Sequence, residues 1–459
     1  MTVDFDLSML LQFATIVLSL STALHALLHK RDSRAALGWI ALCLFAPIIG
    51  PLTYIVLGIN RAHRQANKIR AQAIPGVSSR FQSAGDDIVR KQPLPSSGNA
   101  VVPYFVGTEA YDAMLAAIDA ATTRVWLSQY IFESRGIGAT FIAALGRAAT
   151  RGVQVCVLLD RVGALYSIGS TRRRLRKAGV QAATFLPIRL WPPALRINLR
   201  NHRKILLIDD GCVFTGGMNV RNGYLPGADN RPASIRDTHF RIEGPLVADF
   251  AAVFQDDWQY TTGTELAYIE QSEPGSGSAR CRLTVDGPDN STDLITVSIL
   301  SAIASAENSI RVMTPYFLPP IDIVSGLQMA AVRGVDVSIV LPETNNLAFV
   351  HWAMQHDLPE LLRYDIKIFF QRGSFDHSKL LTIDDRLSVI GSFNIDPRSL
   401  RLNFEIGVEV WDDDLAHQLN THIDRRIASA RRLSMEDWRR EPSWKRLRNA
   451  IAWLGSPYL

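Results

Sequence analysis

Two stretches of the 459-residue chain carry the same reactive side chains at the same spacing. The first runs Asn201-His202-Arg203-Lys204-Ile205-Leu206-Leu207-Ile208-Asp209 and continues to Gly216-Gly217-Met218-Asn219. The second runs Asp376-His377-Ser378-Lys379-Leu380-Leu381-Thr382-Ile383-Asp384 and continues to Gly391-Ser392-Phe393-Asn394. Counted from each His, Lys stands at +2, Asp at +7, Gly at +14 and Asn at +17. A neutral imidazole is a competent nucleophile and proton carrier near neutral pH. Ammonium and amide groups hold anionic oxygens. Both stretches are apolar and β-branched enough to be strands, and residues i and i+2 share a strand face. His202 therefore projects with Lys204, and His377 with Lys379. Asp209-Asp210-Gly211 and Asp384-Asp385-Arg386 read as turns, so the returning strands bring Asn219 and Asn394 back beside the His–Lys ends. The small pairs Gly216-Gly217 and Gly391-Ser392 permit close backbone approach. If two halves pack face to face, one pocket holds two imidazoles, two ammoniums and two amides. That is a site for a single tetrahedral anion, needing neither metal nor cofactor. A lone strand-borne His beside Lys is ordinarily a surface feature; a duplicated set with every His and Lys intact is not. Asp209 and Asp384 keep two readings, catalytic partner or turn-initiating structural residue.

The elements that must position these groups are duplicated as well. Tyr111–Ile118 reads as an amphipathic helix, Arg124–Phe132 as a strand, Ala139–Thr150 as a helix and Val153–Leu159 as a strand. The second half repeats the series with Leu294–Ser305, Ser309–Phe317, Ile323–Val332 and Val335–Leu341. The corners Arg151-Gly152 and Arg333-Gly334 read as left-handed helix stops. Strand–helix–strand order in each half predicts an α/β fold: two duplicated domains with mixed sheets flanked by helices. The expected boundaries are 101–285 and 286–459, the latter closing on a basic helical tail.

Ahead of them lie two apolar runs, Leu7–Leu28 and Ala35–Leu57. About 20 apolar residues cross a bilayer core, so residues 1–60 are expected to form a transmembrane helical hairpin, with a linker over 61–100. Pro47 and Pro51 interrupt the second run, which Pro permits when neighbours satisfy the freed carbonyls. Lys30, Arg31 and Arg34 place the connecting loop inside, whereas Arg61, Arg64, Lys68 and Arg70 place the following segment inside. Either one segment is re-entrant or one charge cluster loses. These runs account for a mean hydropathy of +0.06 in a chain that is 20% charged. The four cysteines exclude a disulfide-rich fold and lack metal-ligand spacing; Cys156 reads as core, and Cys43 lies in a membrane segment.

The net charge of +5 hides its distribution. Residues 1–72 carry +4, and the other 387 carry +1. Arg161–Ile208 holds eleven Lys/Arg and no Asp/Glu, and Arg425–Arg448 carries +6. These runs read as surfaces meeting anionic lipid rather than as a nucleic-acid footprint. Trp444, Leu447, Ile451 and Leu454 share one helical face flanked by Lys445, Arg446 and Arg448, which suits either an interfacial helix or a helix capping the domain. The proline-bounded loops Trp191–Leu195 and Tyr316–Pro320 read either as a lip in the headgroup region or as loop packing.

The motif pair resembles the phospholipase D superfamily, whose signature is His-x-Lys-x4-Asp-x6-Gly-[Gly/Ser]-x-Asn. The resemblance covers about residues 101–430. The apolar hairpin, Arg236-Asp237-Thr238-His239 through Pro245, Thr314-Pro315-Tyr316-Phe317 and the closing Leu454–Leu459 look similar to one branch, the bacterial cardiolipin synthases. The resemblance implies two phospholipase D-like domains and a two-step phosphatidyl transfer through a phosphohistidine. The donor and acceptor it implies are two molecules of phosphatidylglycerol in the bilayer, giving cardiolipin and glycerol. It implies His202 as nucleophile, His377 as acid and base, and Lys204, Lys379, Asn219 and Asn394 as the phosphate cradle. It further implies Asp209 and Asp384 as motif members, Gly216, Gly217, Gly391 and Ser392 beside the substrate, and Asp237 and Glu405 as the residues that orient the imidazoles. The location it implies is the bacterial inner membrane, multi-pass. Rival readings are a membrane-bound phospholipase D, a phosphatidyltransferase for another alcohol, a nuclease of the superfamily, and an inactive lipid-binding scaffold.

Overall fold

The computed structural model describes residues 7–30, 33–58, 93–166, 169–185, 200–227, 234–267, 277–287 and 293–456. The chain divides into two compact units, 1–69 and 70–459. In the first, α1 (Leu7–His29) is a 23-residue apolar helix. Its partner α2 (Ser33–Phe45) ends where Pro47 forbids the next backbone donor, and short helical pieces follow, α3 (Ile49–Thr53) and a π-helical turn over Tyr54–Gly58. Ala23 and Ala26 of α1 pack with Cys43 and Tyr54 in a small buried cluster. His25 Nδ1 shares a hydrogen bond of 2.8 Å with the Tyr54 hydroxyl. Among the described residues, only Ser8–His29 is a helix long and apolar enough to cross a membrane. The second apolar run of the expected hairpin is thus a broken helix folded back on α1.

The second unit opens with β1 (Ser96–Tyr104), five residues before the expected domain start. The first half continues α4 (Gly107–Ala120), β2 (Arg124–Gln129), α5 (Ile137–Thr150), β3 (Gln154–Asp160), α6 (Thr171–Lys177) and β4 (Gln181–Phe185). Then come β5 (Ile205–Ile208), β6 (Cys212–Gly216), β7 (Ile235–Arg236), β8 (His239–Glu243) and α7 (Leu246–Thr262), after which β9 (Ala279–Asp286) joins the sheet of the second half. The second half contains α8 (Leu294–Ser305), β10 (Ser309–Met313), α9 (Ile321–Val332), β11 (Asp336–Pro342), α10 (Ala348–Leu362) and β12 (Lys367–Gln371). It goes on through β13 (Phe375–Asp376), β14 (Leu380–Ile383), β15 (Leu387–Gly391), α11 (Pro397–Arg401) and β16 (Glu405–Trp411). It closes with α12 (Asp413–Ala428), β17 (Arg431–Leu433), α13 (Met435–Arg439) and α14 (Ser443–Trp453). Gly152 and Gly334 end α5 and α9 with φ of 90° and 93°, the left-handed stops read from the sequence.

Both halves lay their strands in one order. The first runs β4-β3-β2-β5-β6-β8-β1 and the second β12-β11-β10-β14-β15-β16-β9, with β17 added at the edge. In each, three parallel strands meet an antiparallel hairpin. Antiparallel pairing of β1 with β9 fuses the two sheets into one of fifteen strands. The two expected domains therefore share one continuous sheet. Each keeps its own apolar core, one around Tyr111, Phe141 and Leu206, the other around Ile299, Phe317 and Leu381.

Candidate active site

His202 and Lys204 lie in the extended segment just ahead of β5, and His377 and Lys379 ahead of β14. The residue before each His is bridged to the other half. Asn201 pairs with Phe404 in an isolated parallel bridge, and β13 pairs with β7, matching Asp376 to Arg236. Backbone bonds lock the alignment: His202 N–H donates to the Phe404 carbonyl at 3.0 Å, and His377 N–H to the Arg236 carbonyl at 2.7 Å. The next residue after each bridge partner is an acid, Glu405 or Asp237. The carboxylates therefore cross over. His202 Nδ1 lies 2.9 Å from Glu405 Oε1, and His377 Nδ1 lies 2.9 Å from Asp237 Oδ2. With Nδ1 held, Nε2 is the ring nitrogen left for chemistry, each side chain being 11–12% exposed; Lys379 Nζ lies 3.2 Å from Nε2 of His377.

Both lysines curl back under their histidines. Lys204 Nζ donates to the His202 carbonyl at 2.8 Å, and Lys379 Nζ to the His377 carbonyl at 2.5 Å. Lys379 Nζ also lies 2.8 Å from His377 Nδ1. Both lysines are buried. The Asn219 side-chain oxygen accepts from Ile131 N–H at 3.0 Å, and the Asn394 amide nitrogen donates to Ser399 Oγ at 3.3 Å. The two imidazoles and two ammoniums thus converge, each imidazole feeling the ammonium of the other half.

Burial sets the protonation states. It pushes the Lys204 ammonium down to about 7 against the pull of Glu405, and Lys379 down to about 8 against Asp237 and Glu405. It lowers both imidazoles; Lys379 and Lys204 add to the effect at His377, whereas Glu405 opposes it at His202. Burial raises Asp237 to about 7 despite Lys379. Burial also raises Glu405, but His202, its hydrogen bond and Lys204 outweigh that and hold it below the usual range. Glu405 is therefore held toward its ionised form, whereas Asp237 keeps its proton into the neutral range.

Several expectations need correction. Asp209 and Asp384 do not reach the pocket; they sit past the far ends of β5 and β14. Asp209 accepts from the backbone N–H of Thr122, Thr123 and Arg124 at 2.8–3.3 Å. Asp384 accepts from Glu307, Asn308 and Ser309 at 2.6–2.7 Å. Each ties the helix-to-strand corner before β2 or β10 to a turn of positive φ, so the structural reading of these aspartates holds. The small pairs lie close against the backbone and the two acids. A Cβ on Gly217 would collide with the Asp237 carboxylate, and one on Gly216 or Gly391 with the backbone at Thr238 or Ile406. Ser392 is buried and donates to Glu405 Oε2 at 2.5 Å. These positions make room for, or hold, the two orienting acids. In the loop Tyr316–Pro320, Phe317, Leu318 and Pro319 are buried as packing, while Tyr316 and Pro320 stay half-buried; Trp191–Leu195 lies outside the described residues.

Other residues went unread in the sequence. Tyr130 stands edge-on to His202 at 5.0 Å between ring centroids, and Tyr316 edge-on to His377 at 6.2 Å. Asn403 donates to Glu405 Oε1 at 3.1 Å. Arg203 anchors the first motif through Asp257 at 2.6 Å and the Asp286 carbonyl at 3.0 Å. Only the step from Asn201 to Arg203 around His202 hints at that scaffold.

Comparison with known proteins agrees with this geometry. The model for the cardiolipin synthase, phospholipase D-like domain matches residues 114–258 and 299–427. The chain belongs to the cardiolipin synthase family of phospholipase D-like enzymes. A second model, the phospholipase D-nuclease N-terminal region, matches 17–58. The chain is 33% identical to cardiolipin synthase A of Pseudomonas entomophila over 96% of both chains. It is 29% identical to the major cardiolipin synthase of Bacillus subtilis over 98% of this chain and all of that one. Among solved structures, a phosphatidylserine synthase from Haemophilus influenzae shares the fold at a TM-score of 0.64 and 14% identity, covering 80% of this chain and 97% of that one.

Proposed function

We propose that this protein makes cardiolipin from two molecules of phosphatidylglycerol, releasing glycerol. The observation that carries the proposal is the pocket shared by both halves, where two imidazoles are held through Nδ1 by acids in opposite protonation states. Ionised Glu405 accepts the Nδ1 proton of His202 and leaves its Nε2 lone pair free as the nucleophile. Protonated Asp237 is hydrogen-bonded to Nδ1 of His377; it passes its proton there as Nε2 gives up its own in the first step and takes it back in the second, so the ring acts as the acid without becoming an imidazolate. In the first step His202 Nε2 bonds to phosphorus, the bond to the glycerol oxygen breaks, and His377 gives that oxygen its proton. In the second, a hydroxyl of the other phosphatidylglycerol gives its proton to His377 and attacks phosphorus. The phosphorus–nitrogen bond then breaks and His202 is restored. Lys204, Lys379, Asn219 and Asn394 hold the non-bridging oxygens; the anion returns to the lysines the charge that burial takes from them. No metal enters this account.

The apolar α1, and the segment 33–58 packed on it, support placement in the bacterial cell membrane as a hairpin. A bilayer supplies donor and acceptor together at high effective concentration, which favours lipid over water as acceptor. The test is incubation of purified protein with phosphatidylglycerol alone and mass spectrometry of the products. Cardiolipin and glycerol in equal amounts are expected; phosphatidic acid without cardiolipin would sink the synthase reading.

A further inference from the structure

The C-terminal helix α14 has two faces that do different things. Its inner face docks on α10: Ala452 is buried in the second core, Asn449 donates to Gln355 at 3.1 Å, and Trp453 Nε1 donates to Asp357 at 2.8 Å. The helix is thus fixed to the body of the enzyme. Its outer stripe of Trp444, Leu447, Ile451 and Leu454 is nevertheless 57–71% exposed. Monomeric proteins seldom leave such a contiguous stripe uncovered without use. Cations border it: the Arg448 guanidinium lies 5.5 Å and the Lys445 ammonium 5.9 Å from the centre of the Trp444 ring. The helix carries no acidic residue.

The stripe also runs toward the active site. Gly455, just past α14, abuts Phe349 at the start of α10, where an added Cβ would come within 2.9 Å of the ring. Phe349 and Leu347 are exposed as well. The adjoining loop is tied to the pocket rim, with Asn346 accepting from the Tyr316 hydroxyl at 2.7 Å and Asn345 donating to the Pro315 carbonyl at 2.9 Å. Tyr316 is the ring set edge-on to His377.

We infer that the outer face of α14, together with Leu347 and Phe349, docks on an anionic bilayer surface and holds the pocket rim at the lipid headgroups. Apolar side chains with an interfacial Trp, bordered by cations on a helix that carries no acid, match the boundary of an anionic leaflet. The inference rests on the proposed lipid chemistry and assigns a second lipid contact besides α1.

The full-length protein tests it. All four native cysteines are buried, so Leu447→Cys can carry a single environment-sensitive fluorophore. Asp365→Cys, with a 95% exposed side chain beyond the far end of α10, is the control. In vesicles of phosphatidylcholine with phosphatidylglycerol, spin-labelled lipid should quench the probe at 447 and not at 365. No quenching at 447, or equal quenching at both, would overturn the inference. A blue shift at 447 without lipid quenching, lost on dilution, would assign the face to a second copy of the chain and overturn it too. In a second arm, the double variant Leu447→Glu/Ile451→Glu should lose roughly tenfold or more of its transfer activity on vesicles and keep it in detergent micelles. Equal activity on vesicles would count against docking. Absence of transfer by the unaltered protein in micelles would instead fault the proposed chemistry and leave the quenching result standing.

Discussion

Glu405→Gln removes one charge from the most enclosed part of the site and changes almost no volume. The carboxylate accepts from His202 Nδ1 at 2.9 Å, Ser392 Oγ at 2.5 Å and Asn403 Nδ2 at 3.1 Å, and it is fully buried. In the proposed first step the His202 ring becomes cationic as it bonds to phosphorus, so the ionised partner stabilises the transition state more than the resting state. A hydrogen bond to a charged group contributes about 1.5–3 kcal/mol, and preorganised electrostatic contacts in water-poor sites reach about 4 kcal/mol. The expected loss of about 2–4 kcal/mol corresponds to roughly 30- to 1,000-fold in the first chemical step. The assay is single-turnover release of glycerol from phosphatidylglycerol in detergent, beside a thermal melt to confirm folding. A fall in rate with little change in KM is expected, because Glu405 does not touch the substrate. Ser392→Ala should give a smaller loss of the same kind. An unchanged rate in a folded Glu405→Gln protein would refute the argument that an acid from the second half serves the imidazole of the first.

Other expectations follow from the same geometry. Gly217→Ala should displace Asp237 from His377 and lower turnover by about tenfold or more, whereas Gly211→Ala, which meets open space, should leave turnover unchanged. Asp209→Ala should cost about 1–3 kcal/mol of stability in a denaturant melt through its freed backbone donors, while the folded protein keeps its turnover. Burial acts to raise the Asp209 carboxyl, but its hydrogen bonds bring it from 3.8 down to about 2, so this stabilisation is present above pH 3.8 and lost as pH falls through about 2. The buried lysines give a dependence of the same sign in a higher pH window. With folded values of about 7 and about 8 against an ordinary 10.5, the empty protein binds fewer protons than the unfolded chain in that window. Its stability should therefore rise with pH. Inorganic phosphate, which re-protonates the pair, should flatten the rise in a melting series. In steady-state profiles the alkaline limb of kcat/KM should begin near these values, and that of kcat should lie higher because the bound anion holds both protons.

The histidines and lysines were legible because spacing on an extended segment is a local property, and an i, i+2 pair shares a face whatever the rest of the chain does. The helices and strands around them were legible for the same reason, from Leu294–Ser305 to the Gly152 and Gly334 stops. Crossing of the acids was not. Asp237 and Glu405 each follow their own half's motif in sequence, and only the bridges Asn201–Phe404 and Arg236–Asp376 send them to the opposite imidazole. The uses of Asp209 and Asp384 were hidden by their place in the repeat, where a recurring acid in a chemical motif invites a chemical role. Their partners are backbone donors from a corner about 75–87 residues away, which no local pattern announces. The break in the second apolar run was half-legible: Pro47 marked it, but composition measures length in residues rather than in continuous helix.

The most direct test of the account is the site of covalent attachment. His377→Ala removes the proton carrier and leaves the His202–Glu405 pair intact. Incubated with phosphatidylglycerol, digested and mapped by mass spectrometry, this variant should carry the phosphatidyl group on His202 and on no other residue. An adduct on His377 in His202→Ala, with none on His202 in His377→Ala, would contradict the assignment and exchange the roles of the two halves.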